Sequence, residues 1–337
     1  MALKLHFLAT PVLFAFSTEE IWDMIVANTN NYAEWKRGQS ETVGRPWAPV
    51  TKPEMKAFIG VTILMGILKF PRLEDYWQES CKYLRTDLAE VFSSVRYQQI
   101  SRFLHISDRT QDLPRNPGDE SQHDRLQKVR PLIDHCGLKF KDLYQVGKHI
   151  TVDEAMIPFK GKWGIKQYMK DKPHKWEIKA FVLADATNGY ITRFFIYTKK
   201  SVETQYPEVG LCTQAVLDLV EDFHHKGPVL YTDNYYTSPD LYMTLHGYDI
   251  YATGTLRISR KGCPKELAKS QLPTKSRVRR GFYKHLSKGP LTAGVWFDRR
   301  YVYFLSTSHL PSLPDFTIAT TERRDGARKV DVLCPPP

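Results

Sequence analysis

The hydrophobic pattern of the chain changes from helical to strand-like near residue 148, and this change constrains the fold more than any other feature. Apolar residues at helical spacing predict helices over about residues 17–36, 51–70, 87–105 and 124–144. From His149 onward, short apolar runs bounded by turn residues predict strands, including a hairpin that turns at Asn188 and Gly189. We therefore expect a helical region followed by a strand-rich one.

Local signals mark the ends of these helices. Ser17 and Glu20 match a Ser-x-x-Glu capping box at the start of the first helix, and Thr51 can cap the second. Pro131 is expected to bend the fourth helix, because proline removes a backbone donor. A later helix is predicted over about residues 213–225, before a strand that begins near Val229.

The composition is that of a basic globular protein. Its 337 residues carry 48 Lys and Arg against 37 Asp and Glu, a formal net charge of +11. This excess favours a polyanion or an acidic surface as partner, although charge alone does not separate DNA from RNA or a membrane surface.

Neither membrane insertion nor secretion is predicted. The apolar run from Leu5 to Phe16 is too short to span a bilayer, and with only Lys4 before it the run makes a poor signal peptide. The five cysteines include no Cys-x-x-Cys pair, which argues against a disulfide framework or a zinc cluster. A reducing compartment fits this cysteine usage best.

Basic residues are densest between positions 257 and 284, hereafter the basic segment. Ten lysines and arginines stand there against the single acid Glu266. Such side chains neutralise phosphates and release counterions, so we predict that the segment contacts DNA; a solvated loop is the alternative. The predicted DNA-binding residues are Arg257, Arg260, Lys261, Lys265, Lys269, Lys275, Arg277, Arg279, Arg280 and Lys284.

A second group of lysines lies between positions 160 and 175, interleaved with Trp163, Tyr168 and Trp176. These lysines could extend the DNA surface, and Lys172 and Lys175 are the two that we predict to do so. The aromatic rings either stack on unpaired bases or belong to the core, and the sequence leaves both alternatives open.

Two aspartates are the candidates for metal chemistry. Asp153 lies in the first predicted strand, and Asp233 lies near the end of the strand that begins at Val229. If neighbouring strands present both carboxylates at one end of the sheet, they could ligate Mg²⁺ or Mn²⁺ together. The alternative for each aspartate is a turn or a helix cap.

Several segments together resemble the piggyBac family of transposases. The strongest are ITVDEAMIPFKGKWGIKQYMKDKPHKWEIKAFVLAD at 150–185 and YTDNYYTSPDL at 231–241. Upstream, FSTEEIWDMIVANTNNYA at 16–33, RFLHISD at 102–108 and DRLQKVRPLIDH at 124–135 also resemble that family. The resemblance covers nearly the whole chain from Phe16 onward.

This resemblance implies an α/β fold: a ribonuclease-H-like mixed sheet core, an N-terminal helical region and a β-containing basic insertion. The corresponding domains are residues 1–148 (helical, of a dimerisation or DNA-binding type), 149–256 (catalytic core) and 257–337 (insertion). Enzymes of the family cut transposon ends through a DNA hairpin and join them to TTAA sites. A nuclear protein, DNA as partner, a homodimer and no small-molecule substrate are therefore expected.

The resemblance also implies a metal site held by three aspartates. By motif, Asp153 and Asp233 correspond to the first two, and the third is expected in a motif beyond Pro337. Mg²⁺ or Mn²⁺ is the implied cofactor, bound here by an incomplete set of ligands. Weak substitutes for the third acid are Asp315, Glu322, Asp325 and Asp331.

Two further acids lie close to these in sequence. Asp185 precedes the Asn188-Gly189 turn, which favours a structural role over metal binding. Glu154 should point to the sheet face opposite Asp153 if the strand is regular, which argues against a shared metal.

Three functions stay open at this point: a DNA-binding transposase derivative with an incomplete site, an active metal-dependent transposase whose third acid comes from elsewhere, and a basic interaction protein with no DNA role. We favour the first.

Overall fold

The computed structural model describes residues 18–39, 45–78, 88–112, 123–170, 175–198, 206, 208–274, 276–308, 319–325 and 328–334. The chain divides into two compact units, residues 1–143 and 144–337. No helix within the described ranges is both long and apolar enough to cross a bilayer.

The first unit is helical. Its helices are α1 (Glu19–Gly38), α2 (Lys52–Ile67), α3 (Leu88–Val91), α4 (Ser94–Phe103) and α5 (Arg130–Asp142), with 3-10 turns at Leu73–Trp77 and Arg109–Gln111. Trp22, Met55 and Ile100 bring α1, α2 and α4 into one buried cluster. Arg96 donates to both carboxylate oxygens of Glu54, at 2.6 and 2.7 Å, which ties α4 to α2.

Three helix boundaries differ from prediction. Thr18 is the N-cap of α1, while Ser17 lies outside the described residues. The helix predicted over 87–105 is broken, because the Ser93 hydroxyl accepts from the Arg96 N–H at 3.2 Å and starts a new helix. The predicted bend at Pro131 is instead a helix start: α5 begins at Arg130, since proline fits the first turn, where no backbone donor is needed.

A nine-stranded mixed sheet forms the second unit. Its strands are β1 (His149–Pro158), β2 (Gln167–Tyr168), β3 (Trp176–Asp185), β4 (Ile191–Ile196), β5 (Val229–Thr232), β6 (Tyr251–Thr255), β7 (Tyr283–Lys288), β8 (Leu291–Phe297) and β9 (Tyr301–Ser306). The spatial order is β2-β3-β1-β5-β6-β9-β8-β7, with β4 also paired to β3. The pair β10 (Ala319–Asp325) and β11 (Arg328–Cys334) forms a separate two-stranded sheet.

The central part of this sheet has a ribonuclease-H-like arrangement. Strand β3 is antiparallel to both β1 and β4, whereas β5 is parallel to β1 and β6 is parallel to β5. The predicted hairpin joins β3 to β4, and Gly189 supplies its positive φ of 76°. The two parallel connections carry helices, as parallel strands require a crossover.

Helices α6 (Leu211–Val220) and α7 (Pro239–Gly247) are these crossover helices. Val216 and Leu241 are buried in the same core cluster as Ile150 and Leu230 of the sheet. Helix α6 ends at Val220, five residues before the predicted end, and a 3-10 turn at Glu221–Phe223 follows it.

The predicted insertion continues the same sheet. Strand β9 pairs with β6, and β8 and β7 extend the sheet beyond it, so the core and the region from 257 onward share one compact unit. The division of this unit into core and insertion stays a prediction.

Candidate functional site

Parallel pairing of β1 with β5 places Asp153 beside Asp233. The register pairs Ile150 with Leu230 and ends with Val152 opposite Thr232, and Asp153 and Asp233 are the residues that follow this last pair. Neighbouring strands lie about 4.8 Å apart. Both side chains are exposed, so two carboxylates face solvent together where β5 ends. Their role as metal ligands stays a prediction.

The electrostatics agree with this proximity. Desolvation raises the pKa of Asp153, and the Glu154 and Asp233 carboxylates add to the rise. Burial raises the pKa of the Tyr236 phenol, and the charges of Glu154, Asp153 and Asp233 raise it further. Asp153 and Asp233 thus bring two carboxylates close together, and a bound cation would stabilise their charge.

Glu154 forms an ion pair with Lys179. The Lys179 ammonium donates to Glu154 Oε1 at 2.8 Å, and both side chains are largely buried. Burial raises the pKa of Glu154, but the hydrogen bond and charge of Lys179 outweigh it and hold that pKa below its usual value. The ion pair gives Glu154 a charge partner within the protein, and its exclusion from a metal site shared with Asp153 stays a prediction.

The turn after Asp233 is fixed by buried hydroxyls that the sequence analysis missed. Thr232 lies 2.8 Å from the hydroxyls of both Thr237 and Tyr242, and Thr237 donates to the Asp233 carbonyl at 2.8 Å. Asp233 Oδ1 accepts from the Tyr235 N–H at 2.8 Å. The motif TDNYYTS does contain the threonines, but only the fold shows that they face each other.

Gly254 lies against this hydroxyl cluster. A Cβ at position 254 would overlap the Thr232 carbonyl and would approach the hydroxyls of Thr237 and Tyr242 to 2.6 Å. A side chain there would have to displace strand β5 at the residue before Asp233.

Asp185 is a structural residue. Its side chain is 1% exposed, and it accepts from Tyr144 Oη at 2.9 Å, Gly147 N at 3.0 Å, Thr187 N at 2.8 Å and Thr187 Oγ1 at 2.5 Å. These hydrogen bonds, with Thr187 contributing most, hold the pKa of Asp185 far below its usual value. Its carboxylate oxygens therefore accept hydrogen bonds from the hairpin turn and from the residues just before β1, and these bonds hold the two together.

The first arginines of the basic segment attach to the turn after Asp233. Arg257 Nε donates to Asn234 Oδ1 at 2.7 Å, and Arg260 Nη2 donates to the carbonyls of Asn234, at 3.1 Å, and Tyr235. This places the start of the basic segment directly beside the two aspartates.

The other basic residues of the segment are of two kinds: some form hydrogen bonds within the protein, and others are exposed to solvent. Arg280 bonds to Asp298 at 2.6 Å, and Lys284 donates to the Glu266 carbonyl at 3.1 Å, so these two stabilise the segment itself. Lys275 lies outside the described residues. The exposed members, besides Arg257, are Lys261, Lys265, Lys269, Arg277 and Arg279.

The structure describes only some of the remaining predicted site residues. Lys175 is exposed, whereas Lys172 lies outside the described residues. Among the substitute acids, Glu322 is exposed on β10. Asp315, and the side chains of Asp325 and Asp331, fall outside what the structure describes.

The donor set fits a hard divalent cation in part. Carboxylate oxygens are the ligands that Mg²⁺ and Mn²⁺ prefer, and Asp153 and Asp233 offer them side by side. No group of three or more His, Cys, Asp or Glu side chains suited to a metal occurs among the residues that the structure describes. Two acids alone would bind such an ion weakly.

A family model described as Transposase IS4 matches residues 12–329. The chain belongs to this transposase family. Human PiggyBac transposable element-derived protein 3 is 29% identical over 256 residues, which cover 74% of this chain and 40% of that protein. Human PiggyBac transposable element-derived protein 5 is 22% identical over 305 residues, covering 88% of this chain and 56% of that protein. The chain thus spans about half the length of these relatives.

The fold of this family member is that of a solved piggyBac transposase, determined by cryo-electron microscopy as a synaptic complex with hairpin DNA. The TM-score is 0.76 at 24% identity, with 89% of this chain and 61% of the other covered. The predicted α/β fold with a ribonuclease-H-like mixed sheet is therefore confirmed, as is the resemblance to piggyBac transposases.

Proposed function

We propose that this chain is a DNA-binding protein related to cut-and-paste DNA transposition, with Asp153 and Asp233 as two ligands of an incomplete divalent-metal site. The observation that carries the proposal is the parallel register of β1 and β5, which brings these two acids together beside the basic segment.

Transposases of this family generally use divalent metal ions. Such an ion, when bound, would stabilise charge on the phosphate oxygens during phosphodiester cleavage. Asp153 and Asp233 would hold it through carboxylate oxygens. The hydroxyl cluster of Thr232, Thr237 and Tyr242 would orient Asp233, because it fixes the turn on either side of that residue.

The basic segment would bring DNA to these acids. Its contacts with Asn234 and Tyr235 join it to the turn that carries Asp233. The exposed side chains Lys261, Lys265 and Lys269, which follow Arg260 in the chain, would then offer positive charge to the DNA backbone.

The finer features rest on the relatives. A solved piggyBac transposase of the same fold is a synaptic complex with hairpin DNA, which supports DNA as the partner. Preference for TTAA sites, a homodimer and a nuclear location are proposed on the same basis.

An active transposase is the second candidate, because Asp153 and Asp233 are exposed and adjacent, so a third acid could complete the site from outside the described residues. The test is Mn²⁺-dependent nicking of supercoiled DNA, together with DNA binding, by the wild-type chain and by Asp233→Asn. Asp240→Asn, an exposed aspartate of α7, is the matched control.

Salt-sensitive DNA binding with no nicking is the expected result. Nicking that Asp233→Asn abolishes and Asp240→Asn preserves would replace our proposal with the active enzyme. If the chain binds no DNA at any salt concentration, both candidates are wrong and a basic interaction protein remains.

A further inference from the structure

An exposed pair of aromatic rings lies at one edge of the sheet. Tyr168 on β2 and Trp176 on β3 are directly paired in the register, and their ring centroids are 5.1 Å apart. Tyr168 is 53% exposed and Trp176 is 52% exposed, so these rings do not belong to the core. We name this pair the aromatic platform.

The platform and Asp153 lie on the same face of the sheet. Asp153 is paired with Val182 of β3, and the register from there to Pro158 opposite Glu177 has no bulge. Side chains alternate along a strand, so Val182 and Trp176, six positions apart, point to one face. Directly paired residues share a face, which places Asp153, Trp176 and Tyr168 together. At about 3.3 Å per residue, Trp176 lies about 20 Å from the residue opposite Asp153.

The chain segments that carry the platform are rich in lysine. Lys166 Nζ lies 5.5 Å from the Trp176 ring centroid, and Lys175 precedes that ring in the chain. The described residues from 159 to 170, with 175 and 176, carry five lysines and no acid. The exposed ones are Lys160, Lys162, Lys170 and Lys175.

Exposed rings flanked by cations fit unpaired nucleotides better than duplex DNA. The rings of a duplex are already stacked on each other, whereas an unpaired base offers a free π-face to Trp or Tyr. Lysine ammonium groups at the same place attract the phosphates of that strand. A protein partner would gain little from a surface in which two rings stand among so many solvated charges.

We infer that the aromatic platform binds unpaired nucleotides of a DNA strand that extends from Asp153 toward this edge of the sheet, with the bases stacked on Tyr168 and Trp176. This inference rests on the proposed function, because it assumes that DNA lies at the two aspartates. It adds a statement about the state of the DNA: the strand is unpaired a few nucleotides away from Asp153 and Asp233.

The test compares a single-stranded oligonucleotide with a duplex of the same sequence. Trp176→Leu and Tyr168→Leu remove one ring each and keep an apolar side chain. Tyr251→Leu is the matched control, because Tyr251 is an aromatic residue on β6 of the same sheet and is 38% exposed. Binding is measured by anisotropy, stacking by the fluorescence of 2-aminopurine placed in the single strand, and folding by thermal melting.

Loss of one stacking ring is expected to weaken single-strand binding about tenfold or more and to reduce 2-aminopurine quenching. Duplex affinity should change by less than about twofold, and Tyr251→Leu should resemble the wild type on both DNAs. If the ring substitutions weaken binding to single strand and duplex equally, or weaken neither, the inference is wrong and the proposed function still stands. Failure of the wild-type chain to bind any DNA would overturn both.

Discussion

The buried carboxylate of Asp185 receives four hydrogen bonds from three residues, Tyr144, Gly147 and Thr187. Replacing it by asparagine turns one acceptor oxygen into an NH₂ group that faces donors. We expect Asp185→Asn to lower the free energy of unfolding by about 2–4 kcal/mol, because at least one buried donor loses its partner and the charge-assisted bonds are lost. Urea unfolding at neutral pH measures the difference.

The same substitution has a predictable pH dependence. The pKa of Asp185 in the folded protein lies below its ordinary value of 3.8, so the stability it contributes is present above pH 3.8 and is lost as the pH falls further. The difference between wild type and Asp185→Asn should therefore be constant near neutral pH and shrink in acid. Asp134→Asn, whose carboxylate is 61% exposed, is the control and should change stability by under about 1 kcal/mol. A similar loss in both variants would contradict the structural role of Asp185.

The pKa of Asp153 is shifted in the opposite direction to that of Asp185. Its pKa is raised by desolvation and by the carboxylates beside it, so its charge is unfavourable in the folded protein at neutral pH. We expect Asp153→Asn to raise Tm by no more than about 2 °C at pH 7 with a chelator present, because solvent screens much of the charge on this exposed side chain, and the gain to vanish below the ordinary pKa of 3.8. Calorimetry of the two proteins measures this. A lower Tm for the variant would show that Asp153 stabilises the fold and would weaken its assignment as a ligand.

Among the elements, strand β6 supports the turn after Asp233 through Gly254. Gly254→Ala is expected to cost about 1–3 kcal/mol or more, because the new Cβ overlaps the Thr232 carbonyl and must displace β5. The same shift should weaken Mn²⁺ binding, which isothermal titration measures. Gly247→Ala is the control, since nothing lies within 4 Å of its Cβ position and alanine favours the helix. If Gly254→Ala leaves the Mn²⁺ affinity unchanged, the hydroxyl cluster does not position Asp233 for metal binding.

Element types were predictable where the local pattern was strong, and boundaries were not. The β3–β4 hairpin followed from Asn188-Gly189, because that dipeptide accepts the positive φ of a tight turn. The break at Ser93 was missed, because a serine inside an apolar helical pattern can either continue a helix or cap a new one. Only the packing of α4 on α2 distinguishes these alternatives.

The candidate site was predictable in its residues but not in its support. Asp153 and Asp233 are found from their motifs, yet their proximity depends on the parallel register of strands that lie 80 residues apart. The buried hydroxyls around Asp233 and the bonds of Arg260 to the turn are tertiary contacts that no sequence period encodes. The exposure of Tyr168 and Trp176 likewise depends on the pairing of the edge strand β2 with the start of β3.

At the scale of the whole molecule, the net charge of +11 could act as a diffuse field or through the basic segment. Each phosphate contact adds about 0.9 to the slope of log affinity against log salt concentration. We expect the double variant Lys261→Gln/Lys265→Gln to reduce that slope by about 2 for duplex DNA, measured by anisotropy between about 50 and 200 mM salt.

The control removes the same charge from the other end of the sheet. Lys148 and Lys226 are exposed and precede the starts of β1 and β5, whereas Asp233 follows the end of β5. If the basic segment contacts phosphates directly, Lys148→Gln/Lys226→Gln should leave the slope nearly unchanged, because charges farther away than about 10 Å are screened at these salt concentrations. Equal effects of the two double variants would mean that the overall charge, and not the basic segment, holds the DNA.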